Sequence, residues 1–233
     1  MSIRENRTER RCAIVAGSSG AVGRHVLDRL LQAPEYERVI SLVRRPSGIA
    51  DPKLDERIVD FDNLDLGTLP EPQATDVFCC LGTTRKKAGS AEAFRKVDFD
   101  YVLNLGLLAK DAQVERFAVI SSIGAGSGKN KGLYLRTKAE MEQALKALQL
   151  PSLIIVRPSL LVGERNEFRL GEHLAQLPLK LLSFIPGFGN YRPIRTAQVA
   201  SAMVTLALGS GEGVHIYESR ALQNDSERLP LER

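Results

Sequence analysis

Short apolar runs rich in valine and isoleucine alternate along this chain with segments whose apolar residues recur every three or four positions. The runs are Cys12–Ala16, Arg38–Val43, Arg57–Phe61, Asp76–Leu81, Arg116–Ile120 and Ser152–Val156. Near-continuous apolar character over five or six residues predicts strands covered on both faces, as in a parallel sheet. Helical spacing follows at Val22, Val26 and Leu30, then at Phe94, Val97, Tyr101, Leu105 and Leu108. It returns at Leu135, Ala139, Glu142, Leu145 and Leu148, and at Val199, Ala202, Met203 and Leu206, with Thr196 as the expected N-cap. Strand–helix alternation predicts an α/β, Rossmann-like, doubly wound parallel sheet.

One region breaks the alternation. Residues 163–195 mix Glu164, Arg165, Glu167 and Arg169 with the apolar stretch Leu177–Phe188. Ligands of a doubly wound sheet sit beyond the carboxyl ends of its strands. An insertion after the sixth strand lies over that edge, so 163–195 is expected to form a small C-terminal substrate lobe or lid. Residues 1–10, with Arg4, Arg7 and Arg10 interleaved with Glu5 and Glu9, read as a flexible leader. Residues 11–222 read as one domain and 223–233 as a loose tail.

Composition narrows the class. A length of 233 residues suits one large domain. The net charge of +4 is scattered, and the one basic cluster, Arg85-Lys86-Lys87, is short, which argues against nucleic acid. The three cysteines show no CxxC spacing and fall in strand-like runs, so they are expected to be buried and reduced. His25, His173 and His215 stand apart, giving no metal site. No apolar run approaches the ~20 residues of a membrane helix, and the N-terminus lacks a secretory pattern. The expectation is a cytoplasmic protein, monomeric or homodimeric.

The chemistry begins at Gly17-Ser18-Ser19-Gly20-Ala21-Val22-Gly23, between the first strand and the first helix. In that context the glycines point to a dinucleotide. Gly17 permits the tight turn, Gly20 lets the backbone approach a pyrophosphate, and Gly23 lets helix and strand pack closely. The helix N-terminus offers N–H groups to the phosphates. The same heptapeptide also suits an ordinary tight turn. The motif lacks the Lys-Ser/Thr ending of a P-loop.

A second constellation lies downstream. Ser121 and Ser122 end the fifth strand, and Tyr134 and Lys138 follow four residues apart, on one face of a helix. An ammonium beside a phenol stabilises the phenolate, so Tyr134 can exchange a proton with a carbonyl or alcohol. Ser122, or Ser121, can hydrogen-bond the same substrate oxygen, and Lys138 can reach a nicotinamide ribose.

In this order, with Arg157-Pro158-Ser159 after them, these motifs resemble the short-chain dehydrogenases, in their extended and atypical branch. Asp76–Gly89 and Val97–Val102 resemble, more narrowly, the Tat-interacting tumour-suppressor family and its bacterial relatives, over roughly residues 10 to 210. That resemblance implies an NADPH-type cofactor on a Rossmann-like sheet more firmly than it implies turnover. It also implies that Asp60 and Phe61 flank the adenine. Leu81, Gly82 and Thr83 would line the ribose side, and Pro158 with Leu160 or Leu161 would wall the nicotinamide. Asp98 stands where many dehydrogenases have a relay Asn.

Charge separates NADP from NAD. An NAD enzyme places an acid at the end of the second strand. Here that strand ends in Val43-Arg44-Arg45. Guanidinium groups suit a phosphate, so NADP(H) is favoured over NAD(H), with Arg44 as the leading contact and Arg45 beside it. Two functions follow. One is an NADP-dependent oxidoreductase moving hydride between cofactor and a small carbonyl/alcohol substrate. The other is an NADPH-binding regulator acting through a protein partner, with Leu177–Phe188 as its surface. A nucleotide-sugar epimerase ranks lower, because the chain has little room for the larger C-terminal lobe such enzymes need.

Overall fold

The predicted apolar runs pair with one another through parallel ladders. The computed structural model describes residues 11–68, 74–126, 132–163 and 192–225. Its main sheet contains β1 (Arg11–Ala16), β2 (Tyr36–Val43), β3 (Leu54–Ile58), β4 (Asp76–Cys79), β5 (Arg116–Ile120) and β6 (Ser152–Arg157). A seventh strand, Gly213–Glu218, joins at the edge beside β6. The order is β3-β2-β1-β4-β5-β6 and then this edge strand, and every pairing is parallel. The doubly wound sheet is therefore as expected. The winding reverses between β1 and β4, which opens a crevice at their carboxyl ends.

Helices cover both faces. The α1 helix (Gly23–Gln32) buries Val26, Leu27 and Leu30, with Val39, Phe78 and the helix Thr196–Gly209, on one face. The other face holds Val102, Leu105, Leu108, Met141 and Leu145 against Ile14, Val77, Phe117 and Ile155. These side chains come from α4 (Tyr101–Asp111) and α5 (Leu133–Ala147). The short helices α2 (Arg85–Ala88) and α3 (Ala91–Arg95) precede a π-helical turn, Lys96–Asp100, that runs into α4. Burial holds the Cys12 thiol up to about 11 and the Cys79 thiol up to about 12, so both stay protonated at neutral pH.

Four details differ from the sequence expectation. Strand β3 spans Leu54–Ile58, not Arg57–Phe61, and Phe61 turns into the core against Tyr101, with ring centroids 5.6 Å apart. The edge strand Gly213–Glu218 was not foreseen. The buried face of α5 carries Thr137, Lys138, Met141, Glu142 and Leu145, because Lys138 and Glu142 find ionic partners inside. At Thr196–Gly209, here α6, the cap position is Arg195, whose N–H donates to Gln198 Oε1 at 3.1 Å; Thr196 is the first helical residue.

Residues 163–195 fall largely outside the described residues, and so does Leu177–Phe188. What is described is their attachment. Strand β7 (Leu161–Val162) pairs with β8 (Ile194–Arg195), Leu161 against Ile194. The chain from Ser219 to Asp225 is a helix, α7, with Leu222 buried and Gln223 Nε2 donating to the Arg192 carbonyl at 3.2 Å. The tail expected from 223 thus begins inside a helix, and the seventh strand becomes β9 in chain order.

At the amino end of the central strand β4, Asp76 is fully buried. Its carboxylate accepts from Tyr36 Oη at 2.9 Å, Arg11 Nη1 at 2.9 Å, Thr75 Oγ1 at 3.2 Å and Arg116 Nη1 at 3.3 Å. One side chain thus ties together β1, β2, β4 and β5. Removing one partner of a buried ionic group leaves the others uncompensated. Asp76→Ala is expected to lower unfolding free energy by about 3 kcal/mol, read from urea denaturation at neutral pH.

Candidate active site

The turn after β1 is shaped by contacts that exclude side chains. Gly17 has φ +86°, and a Cβ there would stand 2.6 Å from the Cys80 carbonyl oxygen. A Cβ on Gly23 would stand 2.1 Å from the Gly17 carbonyl oxygen. The Gly20 N–H donates to that same oxygen at 2.9 Å. Ser18 is buried and its hydroxyl accepts from Ser41 at 2.8 Å, while Ser19 is exposed. Val22 stands at the helix start without a side-chain cap, so no side chain there competes for the first N–H groups of α1.

A cleft of about 540 Å³ opens at the carboxyl ends of the strands. Of the residues singled out in the sequence, it brings together Ala21, Val22, Leu81, Gly82, Thr83, Ser121, Ser122, Tyr134, Lys138, Pro158 and Leu161. Others stand outside its walls. Arg44 and Arg45 are exposed just past the end of β2. Asp60 lines a separate shallow hollow with Arg57 and Asn63. Its carboxylate accepts from the Asp62 N–H at 3.0 Å and from Asn63 Nδ2 at 2.7 Å, and these bonds hold its pKa below the ordinary value. Phe61 is 4% exposed and serves the core. Leu160 points its carbonyl at the Ile194 N–H, 2.9 Å away.

Tyr134 sits in the first turn of α5, its ring against Phe94 with centroids 5.9 Å apart. Lys138, one turn on, is 3% exposed. Its Nζ lies 2.8 Å from Asp98 Oδ1 and 3.5 Å from the Ile120 carbonyl oxygen. The other oxygen of Asp98 accepts from the Thr83 N–H at 2.8 Å. Asp98 thus joins the loop after β4 to the helix that carries Tyr134, from within the π-helical turn. Burial opposes the charge on Lys138. Asp98, and then Tyr134, outweigh burial and raise its pKa above the ordinary lysine value.

The two serines face different partners. Ser121 donates to Glu142 Oε1 at 2.5 Å. Glu142 also receives Arg157 through Nε at 3.0 Å and Nη2 at 2.6 Å, and Arg157 reaches Glu218 at 3.0 Å. Among the described residues, the Ser122 hydroxyl makes a 3.4 Å contact with the Ile123 carbonyl oxygen. Glu142 was read from the sequence as part of an apolar face. Its spacing of three from Ala139 and from Leu145 puts it on that face, but nothing in the pattern names Arg157 as its partner. The sequence also gave no role in the cleft to Thr84, Arg85, Lys86, Lys87, Phe94, Leu133 or Ser159, all of which line it.

A family model described as NAD(P)H-binding matches residues 17–208. The chain belongs to this NAD(P)H-binding family, in the atypical short-chain dehydrogenase/reductase group. Among its relatives, Protein HTATIP2 of Rattus norvegicus is 32% identical over 229 residues, covering 95% of this chain and 92% of that protein. The mitochondrial protein FMP52-1 of Scheffersomyces stipitis is 34% identical, covering 90% and 96%. The UDP-N-acetylglucosamine 4-epimerase of Methanobrevibacter ruminantium M1, in complex with UDP-N-acetylmuramic acid, shares the fold. Its TM-score is 0.67 at 19% identity, over 90% of this chain and 76% of that one. MoeE5 in complex with UDP-glucose and NAD gives 0.66 at 19%, over 88% and 74%. The cytoplasmic expectation is overturned by the FMP52 relatives, which are named as mitochondrial proteins. That expectation rested on thiols and on the lack of a secretory pattern, and neither distinguishes one reducing compartment from another.

The site geometry gives a pH signature. A raised Lys138 pKa means that its contribution to stability is whole below about pH 10, the unfolded lysine range, and is lost as pH rises through the folded value. Asp98→Asn should cost about 3 kcal/mol at pH 7 by leaving a buried ammonium unpaired. It should also remove the part of the alkaline loss due to Lys138. Denaturant unfolding of both proteins from pH 7 to pH 11 checks both effects.

Proposed function

We propose that this protein is an NADP(H)-dependent oxidoreductase that transfers hydride between the nicotinamide and a carbonyl/alcohol substrate. The observation that carries this reading is the convergence of Ser122, Tyr134 and Lys138 on one cleft, directly beside the glycine turn. The fold and the family supply the nicotinamide cofactor. In this reading Gly17–Gly23 and the start of α1 hold the pyrophosphate. Arg44, with Arg45, meets the 2′-phosphate past β2. Asp60 lies on the adenine side, Leu81–Thr83 on the ribose, and Pro158 and Leu161 against the nicotinamide.

A bound cofactor would supply the hydride in reduction and accept it in oxidation. Tyr134 Oη gives its proton to the substrate oxygen during reduction, or takes it during oxidation. Ser122 holds that oxygen in place, since Ser121 is engaged by Glu142. Lys138 orients the ribose and keeps positive charge beside Tyr134. Asp98 holds Lys138 in register with the loop after β4.

The second reading, an NADPH-binding regulator, draws on the same ion pair. With Asp98 2.8 Å away, Lys138 presents Tyr134 with a compensated charge, not a lone cation. Turnover separates the two. Tyr134→Phe should keep NADPH affinity within about twofold and cut turnover by about 10²–10⁴-fold, as measured by NADPH oxidation with an aldehyde panel. A regulator would keep its function after that change.

Cofactor choice has its own test. NADPH should bind more tightly than NADH in a fluorescence titration, and Arg44→Ala should weaken NADPH by roughly 10- to 100-fold while leaving NADH unchanged. Equal affinity for both cofactors would sink the NADP assignment.

A further inference from the structure

The cleft has a charged end that the proposed chemistry does not use. Arg85, Lys86 and Lys87, on α2, line it together with Tyr134 and Lys138. All three basic residues are exposed, and α2 buries no residue. The display is nevertheless fixed. Thr84 Oγ1 accepts from the Lys87 N–H at 3.1 Å at one end of this single turn. At the other, Gly89, with φ +85°, donates its N–H to the Arg85 carbonyl at 2.9 Å. A turn capped at both ends and without a buried face contributes little to the core. Its basic side chains line the cleft.

The charge balance of the walls points the same way. Asp98 is the one carboxylate among the described lining residues, and Lys138 already neutralises it. Among the described lining residues, the formal charge beyond that ion pair is carried by Arg85, Lys86 and Lys87. Glu92, fully exposed, feels the charge of Arg85 but is not among the described residues that line the cleft. Phe94, Ile120, Leu133, Pro158 and Leu161 add apolar surface to the wall.

Position sets these cations apart from the groups that hold the cofactor phosphates in the proposed reading. The glycine turn follows β1 and the Arg44–Arg45 pair follows β2, both on one side of the point where the sheet reverses. The α2 turn follows β4, on the side that carries Tyr134 and Ser122. The cofactor phosphates thus have their own groups across the crevice.

We propose that Arg85, Lys86 and Lys87 form an anion subsite and that the substrate is amphiphilic, an apolar carbonyl or alcohol compound ending in a carboxylate or phosphate. This rests on the oxidoreductase reading for the reacting end and on the cleft walls alone for the anionic end. Charge-assisted hydrogen bonds from lysine and arginine recognise either anion, and the apolar walls take the body between.

The test is binding to the full chain, with and without saturating NADPH, using decanoate, decyl phosphate and decanol as probes. Either anion should bind at least tenfold more tightly than decanol, with an affinity that falls as salt rises. Arg85→Gln and Lys86→Gln should each weaken the anions by about fivefold, leave decanol unchanged, and leave NADPH affinity unchanged. Both residues are exposed, so an unchanged melting temperature serves as the control. A preference for one anion identifies the head group. Equal binding of anions and decanol, or no effect of the substitutions, overturns the proposal. So does a parallel loss of NADPH affinity, which would give these cations to the cofactor. Failure of the wild-type protein to bind NADPH would remove the oxidoreductase reading, while the anion comparison without cofactor would still decide the subsite.

Discussion

The site depends on how closely three pieces of backbone approach one another. The Gly17 carbonyl lies where a Cβ of Gly23 would be, and the Cys80 carbonyl lies where a Cβ of Gly17 would be. The first turn of α1 is therefore pressed onto the end of β1, and both are pressed onto the end of β4. Such contact is open only to glycine, because any side chain would have to displace backbone. Its result is that the start of α1 and the loop Cys80–Thr84 share one crevice. A looser turn would move the helix N-terminus away from the loop that contacts Asp98.

From that loop the arrangement passes by hydrogen bonds to the chemistry. The Thr83 N–H fixes one oxygen of Asp98, the other holds Lys138, and Lys138 lies one helical turn from Tyr134. Farther along the same helix, Glu142 is held by Arg157 and Ser121, which anchors α5 to the ends of β5 and β6. Two buried ionic contacts, both on α5, thus set its angle and depth. Buried pairs of this kind add little net stability over apolar packing, yet removing one partner is costly. Their use here is registry: they leave α5 few ways to lie against the sheet.

Much of this was legible in the residues. Six apolar runs and the glycine turn are enough for the doubly wound parallel class, since a strand covered on both faces admits few polar residues. The failures occur where strands meet solvent. β3 reads Leu-Asp-Glu-Arg-Ile, with Asp55 bridged to Arg38 at 2.7 Å and Arg57 at 3.1 Å, so its pattern is that of a surface. In β9, Val214 is 50% and Ile216 is 39% exposed, so the strand shows alternation without burial. The serine pair shows a different limit. Which hydroxyl is engaged depends on Glu142, twenty-one residues away from Ser121, and local spacing carries no record of it.

The two-residue ladder of β7 and β8 has a consequence for how such a protein diversifies. Leu161 and Ile194 are paired neighbours, so the chain leaves the framework and rejoins it at adjacent points. The cost of closing such an excursion grows only slowly with its length, by about 0.6 kcal/mol for each doubling. Whatever is spliced between those points can be lengthened, shortened or replaced while the sheet, the glycine turn and the ion pairs stay as they are. The fold in effect carries a socket, and the chain spliced into it is free to vary without disturbing the framework around it.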